Sequence, residues 1–299
     1  MILIAGSANL DFVVRAPHIP APGETVMGQQ FQTFPGGKGA NQAVACARAG
    51  GVPTAMLLAL GNDAFAQPLE DSLTQAGVQL HAVRAADVPT GTAFICVSDA
   101  GENAITVAPG ANHALAPEHL PSLQGVTHLL MQLEIPLPTV LAYALAAKAQ
   151  GVQVVLNAAP APSASQGLPP ELLAAVDILI VNEGELSALT SAQGKLADKL
   201  AQLPVPTVVV TLGAEGSLAK VHDAVVMQPA FKVNVVDTTA AGDTFCGALV
   251  AALSSGASMA QALHTASAAA AMACTQLCAQ ASIPTHSAVM QLMQQSLHD

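Results

Sequence analysis

The chain has 299 residues, and its composition excludes several classes of protein. Hydrophobic residues make up 52% of it and aromatic residues only 3%, which argues against disorder and suits aliphatic helices packed on a sheet. Nine Lys and Arg against twenty Asp and Glu give a net charge of −11, which repels nucleic acid and anionic lipid, so we expect a small-molecule partner. The five cysteines lack CxxC spacing, which favours reduced thiols in the cytoplasm over disulfides or a zinc site.

Short aliphatic runs alternate with helical segments along the chain. They predict strands at 2–5, 55–59, 152–156, 178–181 and 207–211, and helices at 42–49 and 138–149. Strand, helix, strand in sequence implies right-handed crossovers. We therefore predict an α/β fold with a three-layer core, in which helices cover both faces of a parallel sheet.

Two segments break this rhythm. Residues 12–34 and 92–107 alternate apolar and polar side chains between Gly and Pro residues, which predicts exposed antiparallel strands. We expect them to pair as a small lid beside the core, so that residues 1–299 form a single domain with the lid inserted. The composition of 158–170 fits either an interdomain linker or one βα loop, and we favour the loop.

The C-terminal part raises the question of a membrane span, because no charged residue occurs from Thr244 to His298. Polar residues such as Gln261 and His264 interrupt this stretch, and its many alanines contribute little transfer free energy. A buried helix pair is therefore the prediction, and no membrane partner is expected.

Two polar clusters near the start of the chain are candidates for binding a polyol. Asn9 and Asp11 follow the first predicted strand, where open α/β sheets bind ligands, and could bracket adjacent hydroxyls; an Asx turn explains them equally well. Residues 34–41, FPGGKGAN, do not form a Walker A loop, because GxxxxGK[ST] is absent. Their glycines allow close backbone approach, and Asn41 can donate to and accept from a hydroxyl; a simple glycine turn is the alternative.

A third cluster, DTTAAGD at 237–243, leads into an apolar helix predicted from Thr244 onward. Backbone N–H groups at a helix start bind anions without any cation, which suits a chain with few basic residues. The predicted anion hole consists of the N–H groups of Ala240, Ala241 and Gly242. Asp243 lies where a carboxylate can accept a proton from an alcohol; stabilisation of the helix dipole is the alternative.

Four further features are individually ambiguous. Asn182 and Glu185 form either an N-terminal capping arrangement or a contact to hydrated Mg²⁺ through Glu185. The glycine turn TLGAEG at 211–216 is a weak nucleotide signal by itself. Glu134 either contacts a sugar hydroxyl or is a solvated acid. Cys274 and Cys278, placed one helical turn apart, are interpreted as packing residues because no third ligand is in view.

Together these motifs resemble the ribokinase and phosphofructokinase B family of sugar kinases, nearly from end to end. The resemblance rests on GSANLD, PGETV, GGKGANQAVA, GENAITVAPGAN, MQLE, LNAAPAP, VNEGE, TLGAEG and DTTAAGDTFCGAL. The pairing of GGKGAN with DTTAAGD, at this separation, is far more specific than any lone glycine motif.

The resemblance implies an α/β core with a small β lid that is often shared in dimer contacts, and transfer of the γ-phosphoryl group of ATP to the 5-hydroxyl of ribose. Sugar-binding residues would be Asn9, Asp11, Gly37, Lys38, Asn41 and Glu134. Asp243 would be the base beside the anion hole. Phosphate and Mg²⁺ would be bound by Asn182 and Glu185, and the nucleotide by Thr211, Gly213 and Gly216, with Ser267 near the adenine. A monovalent cation, usually K⁺, would lie near Asp237, Thr239, Ala273, Gln276, Cys278 and Ser282.

The chain departs from this family mainly in the last region. Residues 275–282 read TQLCAQAS where such kinases tend to read TRKGAQPS. If the replaced glycine served a positive φ angle, Cys278 would be strained by about 1 kcal/mol or more, and activation by K⁺ is left open. Ser267 replaces a usual Asn or His, and Glu215 replaces a usual basic residue.

Other functions stay open at this point. A kinase for another small sugar or nucleoside, such as 2-deoxyribose, uses the same motifs. A sugar sensor that binds ribose without forming ADP is a second alternative. A Rossmann dehydrogenase is the weakest, because GxGxxG is missing after the first strand.

Overall fold

The computed structural model describes residues 1–162, 167–190 and 194–295. Its strands are β1 (Ile2–Ala5), β2 (Asn9–Ala16), β3 (Gln29–Gly36), β4 (Thr54–Gly61), β5 (Gln79–Ala85), β6 (Gly91–Ser98), β7 (Asn103–Ala108), β8 (His128–Met131), β9 (Gln153–Asn157), β10 (Ile178–Asn182), β11 (Thr207–Thr211), β12 (Ser217–Val221) and β13 (Ala224–Gln228). Its helices are α1 (Lys38–Val44), α2 (Ala66–Gln75), α3 (Leu137–Ala149), α4 (Pro170–Ala175), α5 (Glu183–Leu189), α6 (Leu196–Ala201), α7 (Ala241–Ser254), α8 (Met259–Ala273), α9 (Ala279–Ser282) and α10 (His286–Gln295). A wider π-helical turn, Ala45–Ala49, continues α1.

The main sheet has the strand order β13-β12-β11-β10-β9-β8-β1-β4-β5 within the described chain. Its strands pair in parallel from β11 to β5, and β12 and β13 extend one edge as antiparallel strands. Aliphatic side chains from the two faces of this sheet fill two separate apolar cores under the helices. The predicted α/β fold is therefore confirmed, because strands buried on both faces need helices on both sides.

The two segments that break the βα rhythm form a second sheet, with the order β3-β2-β6-β7. The outer pairs, β2 with β3 and β6 with β7, are antiparallel as predicted. The middle pair, β2 with β6, is parallel, which the prediction of antiparallel strands did not include. Its direction follows from connectivity, since β2 and β6 each continue from parallel strands of the main sheet, β1 and β5.

The predicted buried helix pair is present as α7 and α8, whose inward residues are buried. Helix α7 begins at Ala241 and not at Thr244, because the Thr244 N–H already bonds to the Ala240 carbonyl at 2.8 Å. In the described ranges, no helix combines the length and the apolar character that crossing a bilayer requires.

The segment 158–170 leads from β9 into α4, whose Leu172 and Ala175 belong to the same apolar core as β9. This is the path that a βα loop takes. Residues 163–166 of this segment lie outside the described residues.

Candidate active site

Asp243 lies in the first turn of α7 and is held by two neighbouring side chains of α1. Asn41 Nδ2 donates to Asp243 Oδ2 at 2.9 Å, and Gln42 Nε2 donates to Oδ1 at 2.9 Å. The two helices approach closely because position 247 is glycine: a Cβ there would lie 2.5 Å from the Ala45 Cβ and 2.6 Å from the Gln42 carbonyl oxygen. Tight packing of α1 on α7 thus fixes the carboxylate.

The start of α7 faces open space beside this carboxylate. Ala240 precedes the helix in a left-handed conformation (φ 59°, ψ 8°), and a Cβ at Gly242 would meet no atom within 4 Å. The N–H groups of a first helical turn have no partner within the helix, so they are available to an anion. One of the three predicted N–H groups, that of Ala241, donates to the Thr238 carbonyl at 3.2 Å in this conformation.

A cavity of about 170 Å³ opens at this point, beyond the carboxyl ends of β10 and β11. This is the edge at which α/β sheets bind ligands. Seven of the predicted site residues line it, namely Lys38, Asn182, Glu185, Thr211, Ala240, Gly242 and Asp243.

Glu185 takes part in both arrangements considered from the sequence. Its N–H donates to Asn182 Oδ1 at 2.7 Å, and its Oε2 accepts from the Asn182 N–H at 2.8 Å, which is a complete capping box. The same side chain lines the cavity. Burial raises its pKa, while the Asn182 N–H and the Lys38 ammonium act in the opposite direction. Capping therefore holds the carboxylate at the cavity wall.

The predicted sugar-binding residues lie next to Asp243, where the second sheet meets α1. Glu134 Oε2 accepts from Ser7 Oγ at 2.5 Å and from the Lys38 N–H at 3.2 Å, so the alternative of a solvated acid is wrong. Asp11 lies over Gly36, where a Cβ would be 2.1 Å from Asp11 Oδ2. Burial, followed by the charges of Glu134 and Asp243, raises the pKa of Asp11 to about 7.

Asn9 is a buried residue of β2 and does not form an Asx turn. Its Oδ1 accepts from Asn112 Nδ2 at 2.7 Å, and Asn112 Oδ1 accepts from the Ala8 N–H at 2.9 Å. Gly37 turns the chain into α1 at φ 90°, and a Cβ there would lie 2.7 Å from the Asn9 nitrogen. The loop at Gly37 thus packs closely against the connection between β1 and β2.

Lys38 and Asn41 complete the polar lining. Burial would lower the pKa of Lys38, but the charges of Asp243, Glu134 and Glu185 outweigh it and the pKa is raised. Asn41 is buried, and its Oδ1 has no hydrogen-bond partner in the described chain while its Nδ2 is bonded to Asp243. A buried acceptor without a partner is costly, unless a ligand hydroxyl donates to it.

The residues predicted for the nucleotide are only partly brought together. Thr211 lines the cavity, whereas Gly213 (φ 55°) and Gly216 (φ 106°) do not. Gly216 has a structural reason of its own, because a Cβ there would lie 2.1 Å from the Gln228 carbonyl oxygen. Ser267 is buried in α8, and its Oγ lies 3.4 Å from Ser217 Oγ.

Several polar residues of this region were missed from the sequence: Ser7, Gln42, Asn112, Gln132 and Asn157. All five are buried, and each is hydrogen-bonded to a residue of the site or to another member of this set. The sequence indicates their role only through their positions inside motifs quoted for the resemblance. Gln42, for example, directly follows Asn41.

Two of the residues predicted for a monovalent cation, Thr239 and Cys278, contact the carboxylate of Asp237. Asp237 Oδ1 accepts from the Thr239 N–H at 2.9 Å and from Thr239 Oγ1 at 2.7 Å, while Oδ2 accepts from the Cys278 N–H at 3.2 Å. Ser282 Oγ donates to the Ala279 carbonyl at 2.8 Å. Ala273 ends α8, and the Gln276 N–H donates to its carbonyl at 3.3 Å.

Cys278 has φ 78° and ψ 159°, a conformation that glycine adopts and other residues avoid. The positive φ inferred from the replaced family glycine is therefore correct. Cys274 and Cys278 are not one helical turn apart, because the chain turns between α8 and α9.

We expect Cys278→Gly to raise the free energy of unfolding by about 1 kcal/mol, because glycine removes the backbone strain. Urea unfolding measures this effect. Cys274→Gly is the matched control: Cys274 is helical (φ −65°, ψ −13°), so glycine there should lower stability by a similar amount. Equal losses in both variants would show that Cys278 is not strained.

A larger cavity, of about 390 Å³, is lined in part by Cys278. Phe34, Arg48 and Gln280 are among its other lining residues. No carboxylate of the described chain lines it. The smaller cavity, in contrast, is lined by the carboxylates of Glu185 and Asp243.

Known proteins are similar to this chain in both sequence and fold. A family model described as pfkB family carbohydrate kinase matches residues 1–286. A ribokinase of Haemophilus influenzae is 38% identical over 305 residues, which cover 98% of each chain. The crystal structure of a Thermotoga maritima ribokinase is 37% identical, with a TM-score of 0.88 over 98% of this chain and 99% of that one. The Arabidopsis thaliana ribokinase complexed with ribose and ATP is 33% identical, with a TM-score of 0.89 over 98% of each chain.

The family model covers almost the whole chain, and the relatives in sequence and in structure are carbohydrate kinases of the same fold. The chain belongs to the pfkB family of carbohydrate kinases. It is an ATP-dependent sugar kinase.

Proposed function

We propose that the chain transfers the γ-phosphoryl group of ATP to the 5-hydroxyl of D-ribose. The observation that carries this proposal is the position of Asp243, clamped by Asn41 and Gln42 directly beside the open start of α7. The ribose and ATP bound by the Arabidopsis thaliana ribokinase support this choice of substrates.

In the proposed reaction, Asp243 removes the proton of the sugar 5-hydroxyl while the oxygen attacks the γ-phosphorus. The new bond joins O5 to phosphorus, the bond from phosphorus to the ADP oxygen breaks, and the proton stays on the Asp243 carboxylate. Burial raises the pKa of Asp243, whereas the Lys38 ammonium and the hydrogen bonds from Asn41 and Gln42 act in the opposite direction. Such opposing effects suit a general base that works near neutral pH.

The remaining side chains bind and orient the substrates. We propose that Asp11, Lys38, Asn41 and Glu134 hold the sugar, with Asn9 and Gly37 shaping the loop around it. The backbone N–H groups of Ala240, Ala241 and Gly242 bind the negatively charged oxygens of the phosphoryl group during its transfer. Asn182 and Thr211 adjoin the nucleotide phosphates, and Gly213, Gly216 and Ser267 lie farther along the nucleotide side. Positioning and electrostatics supply most of the catalysis in phosphoryl transfer.

Mg²⁺ and K⁺ are proposed as cofactors. The carboxylate of Glu185 at the cavity wall is a hard oxygen donor that suits hydrated Mg²⁺, which neutralises phosphate charge when bound. For K⁺, Cys278 keeps the backbone conformation of the replaced glycine beside the Asp237 carboxylate. This supports the proposal that K⁺ binds near Asp237, with Thr239, Ala273, Gln276 and Ser282 as its further expected neighbours.

An assay coupled to ADP release tests the substrate and the cation together. We expect ribose to give the highest kcat/KM among ribose, 2-deoxyribose, fructose and common nucleosides, and K⁺ to support more activity than Na⁺. A nucleoside or 2-deoxyribose as best acceptor would replace the proposed substrate. Ribose binding without ADP formation would identify a sugar sensor.

The pH dependence of ribose binding provides a separate prediction. Because the pKa of Asp11 is about 7, its carboxyl is protonated below neutral pH and ionised above it. An ionised carboxylate accepts stronger hydrogen bonds from hydroxyls, so ribose affinity should rise between pH 6 and pH 8. Calorimetric titration without ATP measures this rise. Asp11→Asn should bind weakly and with no pH dependence over this range; a flat profile in the parent would remove Asp11 from the sugar site.

We also propose that the small sheet is a lid in a single kinase domain spanning 1–299, and that two lids meet in a homodimer. Phe31 and Phe94 are 62% and 54% exposed, and both stack on Phe12 with ring centroids at 6.0 Å and 5.3 Å. This apolar face should disappear in the dimer. Sedimentation velocity should show a dimer for the parent protein. The double variant Phe31→Ser, Phe94→Ser should sediment as a monomer.

As ATP is the phosphoryl donor, we place the protein in the cytoplasm.

A further inference from the structure

Gln42 is a fully buried polar residue of α1 that the proposed reaction does not use directly. Its Nε2 donates to Asp243 Oδ1 at 2.9 Å and to Asn157 Oδ1 at 3.0 Å. Its Oε1 accepts from Gln132 Nε2 at 2.6 Å. Every polar atom of this side-chain amide therefore has a partner, and one of these partners is the base.

The partners fix the orientation of the amide. An ionised carboxylate only accepts hydrogen bonds, so the amino group of Gln42 must face Asp243. Gln132 follows β8 and Asn157 ends β9, and Asn157 Nδ2 is itself anchored on the Ile180 carbonyl at 3.2 Å. The amide thus connects the base to the ends of neighbouring core strands.

Gly6 makes room for this arrangement. A Cβ at position 6 would lie 2.0 Å from Gln132 Oε1 and 2.9 Å from the Gly39 Cα. Gln132 Oε1 has no partner in the described part of the chain, and Gln132 Nε2 donates to Gln42. A buried amide with an unsatisfied oxygen is unfavourable for stability, and its retention here points to a role at the site.

We propose that Gln42, supported by Gln132 and Asn157, is a positioning residue that aims the Asp243 carboxylate at the sugar hydroxyl. This inference rests on the proposed role of Asp243 as the base. Asn41 holds the other carboxylate oxygen, so the two amides together prevent rotation of the carboxylate.

The electrostatic surroundings explain why such a residue is needed. The charged and titratable groups that act on Asp243 are the Lys38 ammonium, the carboxyls of Asp11, Glu134 and Glu185, and the Cys246 thiol. Burial and the neighbouring carboxylates favour the protonated form, which is useless as a base. The hydrogen bond from Gln42 opposes them without adding a charge.

Gln42→Met tests the proposal, since methionine has a similar length and cannot hydrogen-bond to the carboxylate. We expect kcat to fall roughly 10- to 100-fold and the acid limb of the kcat/KM profile to move to higher pH, with KM for ribose nearly unchanged. Parent and variant are compared at the same ATP and Mg²⁺ concentrations. Gln132→Met, which does not touch Asp243, should change both quantities in the same direction by less.

Thr139→Val is the matched control for the loss of a buried hydrogen bond. Thr139 belongs to α3, and its Oγ1 donates to the Leu115 carbonyl at 2.9 Å. It should lower the melting temperature and leave kcat and the acid limb unchanged. If Gln42→Met and Gln132→Met behave like Thr139→Val, Gln42 is only structural and the proposal is overturned. If Gln42→Met does not fold, Gln132→Met decides in the same way. An active Asp243→Asn would instead refute the proposed base, so the two failures are distinguishable.

Discussion

Asp243→Asn should lower kcat by about 10²- to 10⁴-fold, because the variant lacks the group that accepts the proton. KM for ribose should change little, since the amide keeps the shape of the carboxyl and leaves the other sugar-binding side chains in place. Steady-state kinetics with ADP detection measures both constants. Asp71→Asn is a surface control: Asp71 is exposed and bonds only to Gln67 within the described chain, so its loss should have no effect on turnover.

The same variant should be at least as stable as the parent above neutral pH. The pKa of Asp243 is raised in the folded protein, so ionising this carboxyl costs free energy at any pH above its unfolded value. Asparagine removes that cost. Nearly parental turnover in Asp243→Asn would contradict the assignment of Asp243 as the base. Loss of activity through unfolding would contradict the claim that the ionised carboxylate lowers the stability of the folded protein.

Gly242→Ala has the second large expected effect, and it separates activity from stability. Its Cβ would meet no protein atom within 4 Å, so alanine should raise helix stability by about 0.5–1 kcal/mol. The same methyl group would project at the helix start where the transferred phosphoryl group must approach. We therefore expect a loss of kcat of roughly 100-fold or more, the size associated with losing one oxyanion donor.

Gly247→Ala, five residues later in the same helix, is the matched control. Its Cβ would collide with the Ala45 Cβ at 2.5 Å and the Gln42 carbonyl oxygen at 2.6 Å, so this variant should lose stability. Urea unfolding and kinetics of both variants give the comparison. A fully active Gly242→Ala would exclude the start of α7 as the anion hole.

Local patterns predicted five of the nine strands that the described chain contributes to the main sheet, because each of the five is a short aliphatic run bounded by turn residues. They did not predict the parallel pairing of β2 with β6, since alternation along a strand carries no information about the direction of its partner. The start of α7 was placed three residues late because Ala241, Gly242 and Asp243 have no apolar periodicity. Helix ends set by backbone bonds alone leave little trace in sequence.

The site was predictable in its motifs and not in its internal contacts. Asn41 and Asp243 were each identified in local motifs, yet they are 202 positions apart, and only packing of α1 on α7 brings them within 2.9 Å. Gln132 and Asn157 lie inside the quoted motifs MQLE and LNAAPAP, but their roles were missed because they come from strand ends that meet in space. The positive φ of Cys278 was predictable, since a departure from the family's glycine identified a backbone requirement.

The most direct measurement is a crystal structure of the chain with ribose and an ATP analogue that cannot transfer its γ-phosphate. We predict that the ribose 5-hydroxyl lies within about 3 Å of the Asp243 carboxylate and that the γ-phosphate lies against the backbone at Gly242. A 5-hydroxyl bonded to another group, or a γ-phosphate remote from the start of α7, would contradict it.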